Sequence, residues 1–499
     1  MHRVLLIYPP YERFRGLRNA DFPLGLGSLA TVLSQEGFQA RLYNAEHELR
    51  PPEGQSRRSL TGRLESQDDF QGQALNMDSP IWRDIRQHLA DFRPDLVGLY
   101  TTSLAMPIVV RLCALVKELF PGCPTVLGGP HATVMPEHAA GLPGVDYVIM
   151  GEGEHSLLEL CRRLRDGRRD LDDIPGLGRR VEGETRLNRQ TGFLDANLLP
   201  RVDRDLLLDV EKFPPHLVGG TVMGSRGCPH QCTFCASPVI WRRHTQYRRV
   251  DLIMEEIRYL IGRFGISHFS FWDDTMGSSR RKLGELCQAM IEARLGVTWE
   301  CSTRIDLLDD QVLSLLGRAG CISLALGVES GSDRVLKAMK KGVDTKTIRQ
   351  RLALARRHGM QIVALFMMGL PYEDADDIRG TMRLMQDIRP TAVQLTTFVP
   401  YPGTEAHDEA VRQGLLPADF AWESNLSISD HSRYNRFTNL IPDDEYRRLV
   451  GEAFALASRL SRPTRWKKLR RHWLNRHKYL ARPGYYLGRL LGRGATARG

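Results

Sequence analysis

Two stretches of this sequence repeat one pattern, a short apolar run followed by a longer segment of helical period. That repetition constrains the fold more than any other feature. In residues 1–165 the apolar runs fall at Arg3–Tyr8, Gln39–Tyr43, Asp95–Tyr100, Thr125–Leu127 and Tyr147–Met150. Helical patterns accompany them at Leu24–Gln35, Ile81–Asp91, Pro107–Phe120 and Glu154–Arg165. Five short strands alternating with helices predict an α/β fold with a doubly wound parallel sheet. Such sheets bind ligands beyond the carboxyl ends of their strands, where the strand order switches. The loops in that position are Pro9-Pro10-Tyr11, Thr101-Thr102-Ser103, Gly128-Gly129-Pro130-His131 and Gly151-Glu152-Gly153-Glu154. Glycines there let backbone approach a bulky ligand, and hydroxyls can bond its amide edges. No G-x-G-x-x-G follows the first strand, so the dinucleotide fingerprint is missing. The stretch Arg50–Ser79, rich in Gly, Pro, Gln and charge, reads as a loop or insertion, and residues 166–216 as a connector.

From residue 217 a second alternation begins, with strands expected at Leu217–Ser225, His268–Trp272, Thr298–Ser302, Ile322–Gly327, Gln361–Met367 and Ala392–Phe398. Helices are expected at Leu252–Arg263, Arg281–Arg294, Asp310–Arg318, Thr345–His358 and Ala375–Asp387. Six units are too few for a closed eight-stranded barrel and predict an open, partial (β/α)6 barrel of TIM type over residues 217–405. Its chemistry belongs at the C-terminal strand ends. Those ends carry Asp273-Asp274, Arg304, Glu329-Ser330 and Gly369-Leu370-Pro371. Residues 406–461 read as a small, mostly helical cap over the barrel mouth, with Ala418–Ser432 and helix Asp443–Ser461. Tyr434, Asn435 and Arg436 are its candidate substrate contacts.

The first barrel strand runs into Cys228-Pro229-His230-Gln231-Cys232-Thr233-Phe234-Cys235, a C-x₃-C-x₂-C loop. Three thiolates in so tight a loop can hold an iron–sulfur cluster, and the lack of an obvious fourth leaves one iron open. The alternative is a structural zinc site with His230 as fourth ligand. The other six cysteines, at 113, 123, 161, 287, 301 and 321, are scattered through apolar segments. They read as reduced core residues and a reducing cytoplasm, not as a disulfide scaffold. No apolar run reaches about 18 residues, which predicts no transmembrane helix, and the N-terminal run reads as a strand, not a signal peptide.

The net charge of +10 is unevenly placed: from Ala453 to Gly499 there is no Asp or Glu but thirteen Lys and Arg. The rest of the chain is near neutral, and the tail, 462–499, interleaves its basic residues with Trp466, Trp473, Tyr479, Tyr485 and Tyr486. Such a segment suits an anionic membrane surface. A solvated docking tail and, behind it, a nucleic-acid arm are the alternatives.

The cysteine spacing, with Phe234 just before the last Cys, resembles the radical S-adenosylmethionine (SAM) superfamily. Gly327-Val328-Glu329-Ser330-Gly331 and Phe366-Met367-Met368-Gly369-Leu370-Pro371 resemble its fourth- and fifth-strand segments. The resemblance implies a 4Fe–4S cluster on Cys228, Cys232 and Cys235, with SAM chelating the open iron. It gives Glu329 the SAM ribose, places Phe234 beside the cofactor, and offers Arg304 either the SAM carboxylate or an ion pair with Asp306. Asp273-Asp274 stands where many relatives have Gly-Gly-Glu; Asp273 is either functional or a turn or capping residue. Residues 1–165, with Leu127-Gly128-Gly129-Pro130-His131-Ala132-Thr133 and then Gly151-Glu152-Gly153-Glu154, resemble the Rossmann-like cobalamin-binding domain fused ahead of many radical SAM domains. Pro10, Ser103, Gly128, Gly129, Pro130, His131, Glu152 and Gly153 are then the cobalamin-pocket residues. D-x-H-x-x-G is absent, since none of the fifteen histidines follows an Asp by two residues. Cobalt is therefore expected to lack a histidine ligand.

What the resemblance implies is a cobalamin-dependent radical SAM C-methyltransferase. A 5′-deoxyadenosyl radical would activate the substrate, and methylcobalamin would supply the methyl group. A radical oxidative cyclase of the same architecture is the alternative, followed by a methylthiotransferase. The implied partners are a small-molecule substrate, with a lipid or pigment in view, and an electron donor such as flavodoxin or ferredoxin. The implied location is the cytoplasm, peripheral to the inner face of the membrane.

Overall fold

In the computed structural model the described residues are 2–15, 21–47, 67–190, 192–428 and 435–461. The N-terminal half is a seven-stranded sheet. Its strands are β1 (Arg3–Tyr8), β2 (Gln39–Asn44), β3 (Leu96–Tyr100), β4 (Thr125–Gly128), β5 (Tyr147–Ile149), β6 (Leu177–Val181) and β7 (Glu184–Leu187). Their order is β2-β1-β3-β4-β5-β6-β7, and the first five are parallel. β1 is buried at all four of its central residues, as a strand covered by helices on both faces must be. The helices are α1 (Tyr11–Phe14), α2 (Leu24–Gln35), α3 (Gln67–Leu75), α4 (Pro80–Phe92), α5 (Met106–Leu119), α6 (Pro130–Val134), α7 (Pro136–Gly141) and α8 (Glu154–Arg165).

Two expectations for this half change. The expected loop Arg50–Ser79 contains α3, whose Phe70 is buried edge-on against the Tyr11 ring and whose Ala74 carbonyl accepts from Trp82 Nε1. Three apolar residues in nine, two of them adjacent, leave almost no periodic signal, and packing makes the helix. The connector contains the hairpin β6–β7, which extends the sheet antiparallel to β5. Its turn, Glu182-Gly183, has both residues at positive φ, as the tightest hairpins require.

The second sheet has six parallel strands, β8 (Thr221–Val222), β11 (His268–Phe271), β12 (Thr298–Thr303), β13 (Cys321–Glu329), β14 (Gln361–Met368) and β15 (Ala392–Thr397). They neighbour one another in chain order, which makes an open, partial barrel. Along β12 and β14 alternate residues are buried, because one face meets the helices and the other the lumen. The expected first strand, Leu217–Ser225, is broken up. Pro215 opens the helical turn α9 (Pro215–Val218), only Thr221–Val222 joins the barrel, and β9 (Ser225–Arg226) pairs antiparallel with β10 (Gln246–Tyr247). Gly220 is what lets the chain turn so tightly, since a Cβ there would lie 2.0 Å from the His216 carbonyl oxygen.

The remaining helices are α10 (Ser237–Trp241), α11 (Val250–Phe264), α12 (Arg280–Ala293), α13 (Asp310–Arg318), α14 (Asp333–Ala338), α15 (Thr345–Arg357), α16 (Ala375–Ile388), α17 (Glu405–Arg412) and α18 (Asp443–Ser461). Side-chain caps start several of them: Ser279 on α12, Asp309 on α13, Asp344 on α15, and a capping box of Asp374 and Asp377 on α16. The helical cap is not as expected. α18 lies along β15 and α16, with Ser461 Oγ bonded to both backbone groups of Val393 and Glu445 paired with Arg379. It packs along the edge strand and an outer helix of the barrel, and its Tyr446 ring reaches Gly369 at the end of β14. Residues 413–428 carry no helix, and Trp422 and Leu426 pack into the core of the N-terminal half. Asn435 is buried within bonding reach of Thr397 and Phe398, and Arg436 bonds the Ile441 carbonyl. Tyr434 and the basic tail 462–499 lie outside the described residues. The six scattered cysteines are buried and free, and no helix among the described residues is long and apolar enough to cross a membrane.

Candidate active site

The cysteine loop leaves β9 through Gly227, whose φ is +87° and whose Cβ, if present, would meet the His244 carbonyl at 2.2 Å. Only glycine fits there. The loop is then pinned at its centre, where Thr233 N donates to the Met339 carbonyl and the Thr233 carbonyl accepts from Ala406 N. Each thiol has its own neighbour: Cys228 Sγ lies 3.4 Å from Thr275 Oγ1, Cys232 Sγ accepts from Arg304 at 3.6 Å, and Cys235 Sγ accepts from Ser237 N at 3.4 Å. Burial pushes the Cys235 thiol up to about 12 and raises Cys232, against the pull of the Lys341 and Arg304 charges.

Ligation needs thiolates, and these cations beside Cys232 are what an anionic cluster requires in a half-buried site. Among the described residues no three His, Cys, Asp or Glu side chains are arranged to hold a single ion. A cubane takes one thiolate per iron and does not need the sulfurs to converge on a point. The donor set fits a cluster.

Around the loop, Asp273 accepts from Gly224 N at 2.7 Å and from Ser225 Oγ at 2.5 Å, and Asp274 accepts from Gly227 N at 2.9 Å. Burial pushes Asp273 up to about 6 and raises Asp274 as well. The pair therefore braces the base of the cysteine loop, and Asp273 does not cap the next helix; that cap is Ser279. Arg304 does pair with Asp306, at 2.9 Å, and also reaches the Lys341 carbonyl and Cys232. Glu329 sits at φ +65°, strained for a non-glycine residue, and its Oε1 accepts from Lys341 Nζ at 2.6 Å. The same ammonium stands 6.0 Å above the Phe234 ring. Lys341 ties three expected site residues together, yet sequence reasoning gave it no role. A cavity of about 970 Å³ including its open part fills the lumen beside Asp273 and Asp274, lined also by Ser270, Trp272, Glu300 and Ser302.

A second cavity, about 1370 Å³ including its open part, lies between the two sheets. One wall is glycine: Gly98, Gly128, Gly129, Gly151 and Gly153. The other belongs to the barrel half: Met223, Arg226, Ile240, Trp241 and Trp272. A Cβ on Gly128 would point into open space, with nothing nearer than the Ile149 carbonyl at 3.9 Å. Gly129, at φ +103°, has the Tyr100 ring 2.9 Å from where its Cβ would be. This is a cradle that side chains would fill, and it suits a large ligand such as a corrin.

Gly128, Gly129, Pro130, Glu152 and Gly153 line the cavity as expected. Pro10, Ser103 and His131 do not. Pro10 is buried ahead of α1. Ser103 Oγ bonds His131 Nδ1 at 2.9 Å, His131 Nε2 meets His138 Nδ1 at 3.1 Å, and His138 Nε2 meets Glu423 Oε2 at 2.8 Å. His131 is wholly buried, and burial with the neighbouring His138 pushes it down to about 3, so it stays neutral. It ties residues 413–428 to the first sheet and is not a pocket residue. Trp272 and Asp274 line both cavities, which therefore adjoin.

Two protein-family models match the chain: the radical SAM superfamily over residues 222–385 and the B12 binding domain over residues 56–161. An uncharacterized methyltransferase of Pyrococcus horikoshii is 27% identical over 445 residues, 88% of this chain and 89% of that protein. An anaerobic magnesium-protoporphyrin IX monomethyl ester cyclase of Rubrivivax gelatinosus is 26% identical over 370 residues, 72% of this chain and 64% of that protein. Among solved structures, the radical S-adenosylmethionine methyltransferase TsrM from Kitasatospora setae, with cobalamin and a 4Fe–4S cluster bound, superposes with a TM-score of 0.63 at 18% identity. That match covers 83% of this chain and 75% of that one.

Proposed function

We propose that this chain, which belongs to the cobalamin-binding radical SAM family, is a methyltransferase acting on an unactivated carbon of a small molecule. The observation that carries the reading is the shared wall: Trp272 and Asp274, the latter bonded to Gly227 N beside Cys228, face both the barrel lumen and the glycine-walled cavity. When bound, the cluster with SAM supplies a 5′-deoxyadenosyl radical and cobalamin supplies the methyl group, chemistry that belongs to the cofactors.

What the chain does is hold and orient them. Cys228, Cys232 and Cys235 ligate the cluster, and Arg304 and Lys341 compensate its charge. Glu329 would accept from the SAM ribose, and Phe234 would pack beside the cofactor. Arg304, already paired with Asp306, would meet the cluster through its contact with Cys232. Asp273 and Asp274 fix the loop from below. Gly128 and Gly129 give cobalamin a backbone surface to lie on, next to Pro130, Glu152 and Gly153. The residues between the cavities exclude water from a substrate that both cofactors must reach.

Residues 1–165 and 217–405 then act as the cobalamin and radical SAM units. The basic tail is proposed to meet an anionic membrane surface, and a reduced flavodoxin or ferredoxin to supply electrons. A cyclase reading rests on the same architecture. The discriminating experiment supplies the holoenzyme with SAM labelled as trideuteromethyl and an anaerobic extract of small molecules. A product carrying the labelled methyl in place of hydrogen supports methylation. A product that has lost hydrogens and carries no label selects the cyclase.

A further inference from the structure

The two cavities are joined by more than a wall. Arg226, at the end of β9, donates to Glu152 Oε1 and to Glu154 Oε1, both at 2.6 Å. Glu152 stands in the loop after β5 and Glu154 opens α8, so one side chain of the barrel half is held by two carboxylates of the other half. The three side chains are 12%, 6% and 5% exposed. Exposed ion pairs contribute little, but breaking a pair closed off from water strands a charge. Burial pushes Glu154 upward, yet the Arg226 charge and hydrogen bond, with Ser28 Oγ, outweigh it and hold the carboxyl below its ordinary range. Glu152 also accepts from Leu194 N, which fixes its second oxygen.

Only Gly227 separates Arg226 from Cys228. That glycine has no room for a side chain beside the His244 carbonyl and donates its N–H to Asp274, so the one residue between clamp and ligand has no slack. On the other side, Glu152, Gly153 and Glu154 line the glycine-walled cavity. A ligand filling it bears on the carboxylates that hold Arg226. We infer that Arg226 is a positioning residue through which occupancy of the glycine-walled cavity and the state of the cysteine loop are linked. Linkage is reciprocal: the cluster tightens the cavity's ligand, and the ligand steadies the cluster. The inference rests on the reading that this cavity takes cobalamin.

The test is equilibrium dialysis of hydroxocobalamin against anaerobically prepared full-length protein, with and without its iron–sulfur cluster. Wild type, Arg226→Gln, Arg226→Lys and Glu152→Gln are compared. Wild type with cluster is expected to bind about tenfold tighter than without, and hydroxocobalamin to slow loss of its iron to a chelator. Arg226→Gln is expected to bind equally in both states and to lose iron at one rate. Arg226→Lys keeps the charge but cannot fork to two carboxylates, so it should restore the linkage in part. A purely structural clamp would instead lower the melting temperature of the variants and leave their linkage whole, which would overturn the inference. If Arg226→Gln does not fold, Glu152→Gln, which still accepts from Leu194 N, decides: weakened linkage supports the inference and full linkage overturns it. Wild type that binds equally with and without cluster overturns the inference alone, and wild type that binds no hydroxocobalamin overturns the cobalamin reading with it.

Discussion

The three loop cysteines differ from the six core cysteines in what surrounds the sulfur: a hydroxyl, a guanidinium and a backbone N–H within 3.4–3.6 Å. Cys228→Ala, Cys232→Ala and Cys235→Ala are each expected to abolish SAM cleavage, read as 5′-deoxyadenosine formed by reconstituted protein. A triple variant that still held a complete cubane would contradict the assignment. Cys161→Ala, wholly buried on α8, should leave iron content unchanged and cost roughly 1 kcal/mol in denaturant unfolding. Glu373 carries a pH prediction. It is fully buried, its Oε2 accepts from Gly369 N, its Oε1 has no partner among the described residues, and burial pushes the carboxyl up to about 8. Since the folded value lies above the ordinary 4.5, the stability it contributes is complete below about pH 4.5 and lost as the pH rises through about 8. Glu373→Gln should therefore gain on wild type in urea midpoint between pH 5 and pH 8, by at most about 1.4 kcal/mol per pH unit. Equal pH slopes would contradict it. The cysteine spacing was legible because it is local. The partners of Arg226 and Asp273 lie 74, 72 and 48 residues away, and no periodicity announces such pairs.

At the scale of elements, the turn after β4 separates two effects of adjacent glycines. Gly128→Leu places a side chain in the cavity without a backbone clash, so hydroxocobalamin retention should fall while the melting temperature holds. Gly129→Val meets both the Tyr100 ring and a positive φ, and should cost about 1–3 kcal/mol of stability as well. Neither should change the iron content; loss of iron in both would mean that the two sites are not separately built. Strands with a continuous or alternating apolar run, such as β1, β12 and β14, were legible to within a residue or two. The failures share a cause. Leu217–Ser225 reads as one apolar strand, but the helical turn opened by Pro215 takes its first two residues and Gly220 turns the chain inside it. β7, at Glu184–Leu187, has no buried position in its pattern to reveal it. α18 has an amphipathic sequence that says it packs, but not whether on the mouth or on the wall.

For the whole molecule, the order of two β/α alternations was enough to expect two α/β units with the cysteine loop after the first strand of the second. It did not place the adjoining cavities, because that depends on how the sheets meet. The charge asymmetry adds a prediction about the tail. Deleting Arg462–Gly499 should leave cluster and cobalamin content unchanged and abolish sedimentation with anionic vesicles. In the full chain, each basic residue near such a surface contributes about 1 kcal/mol at low salt. Full-length protein that ignores such vesicles would make the tail a docking arm or a solvated end. The central claim is that one chain holds an iron–sulfur cluster and cobalamin on either side of a shared wall. Electron paramagnetic resonance of the dithionite-reduced protein, loaded with both, tests it most directly. The account predicts that the reduced cluster and cob(II)alamin signals are split or broadened by dipolar coupling, relative to protein loaded with either alone. Two unperturbed signals, or no protein-bound cobalt signal, would contradict it.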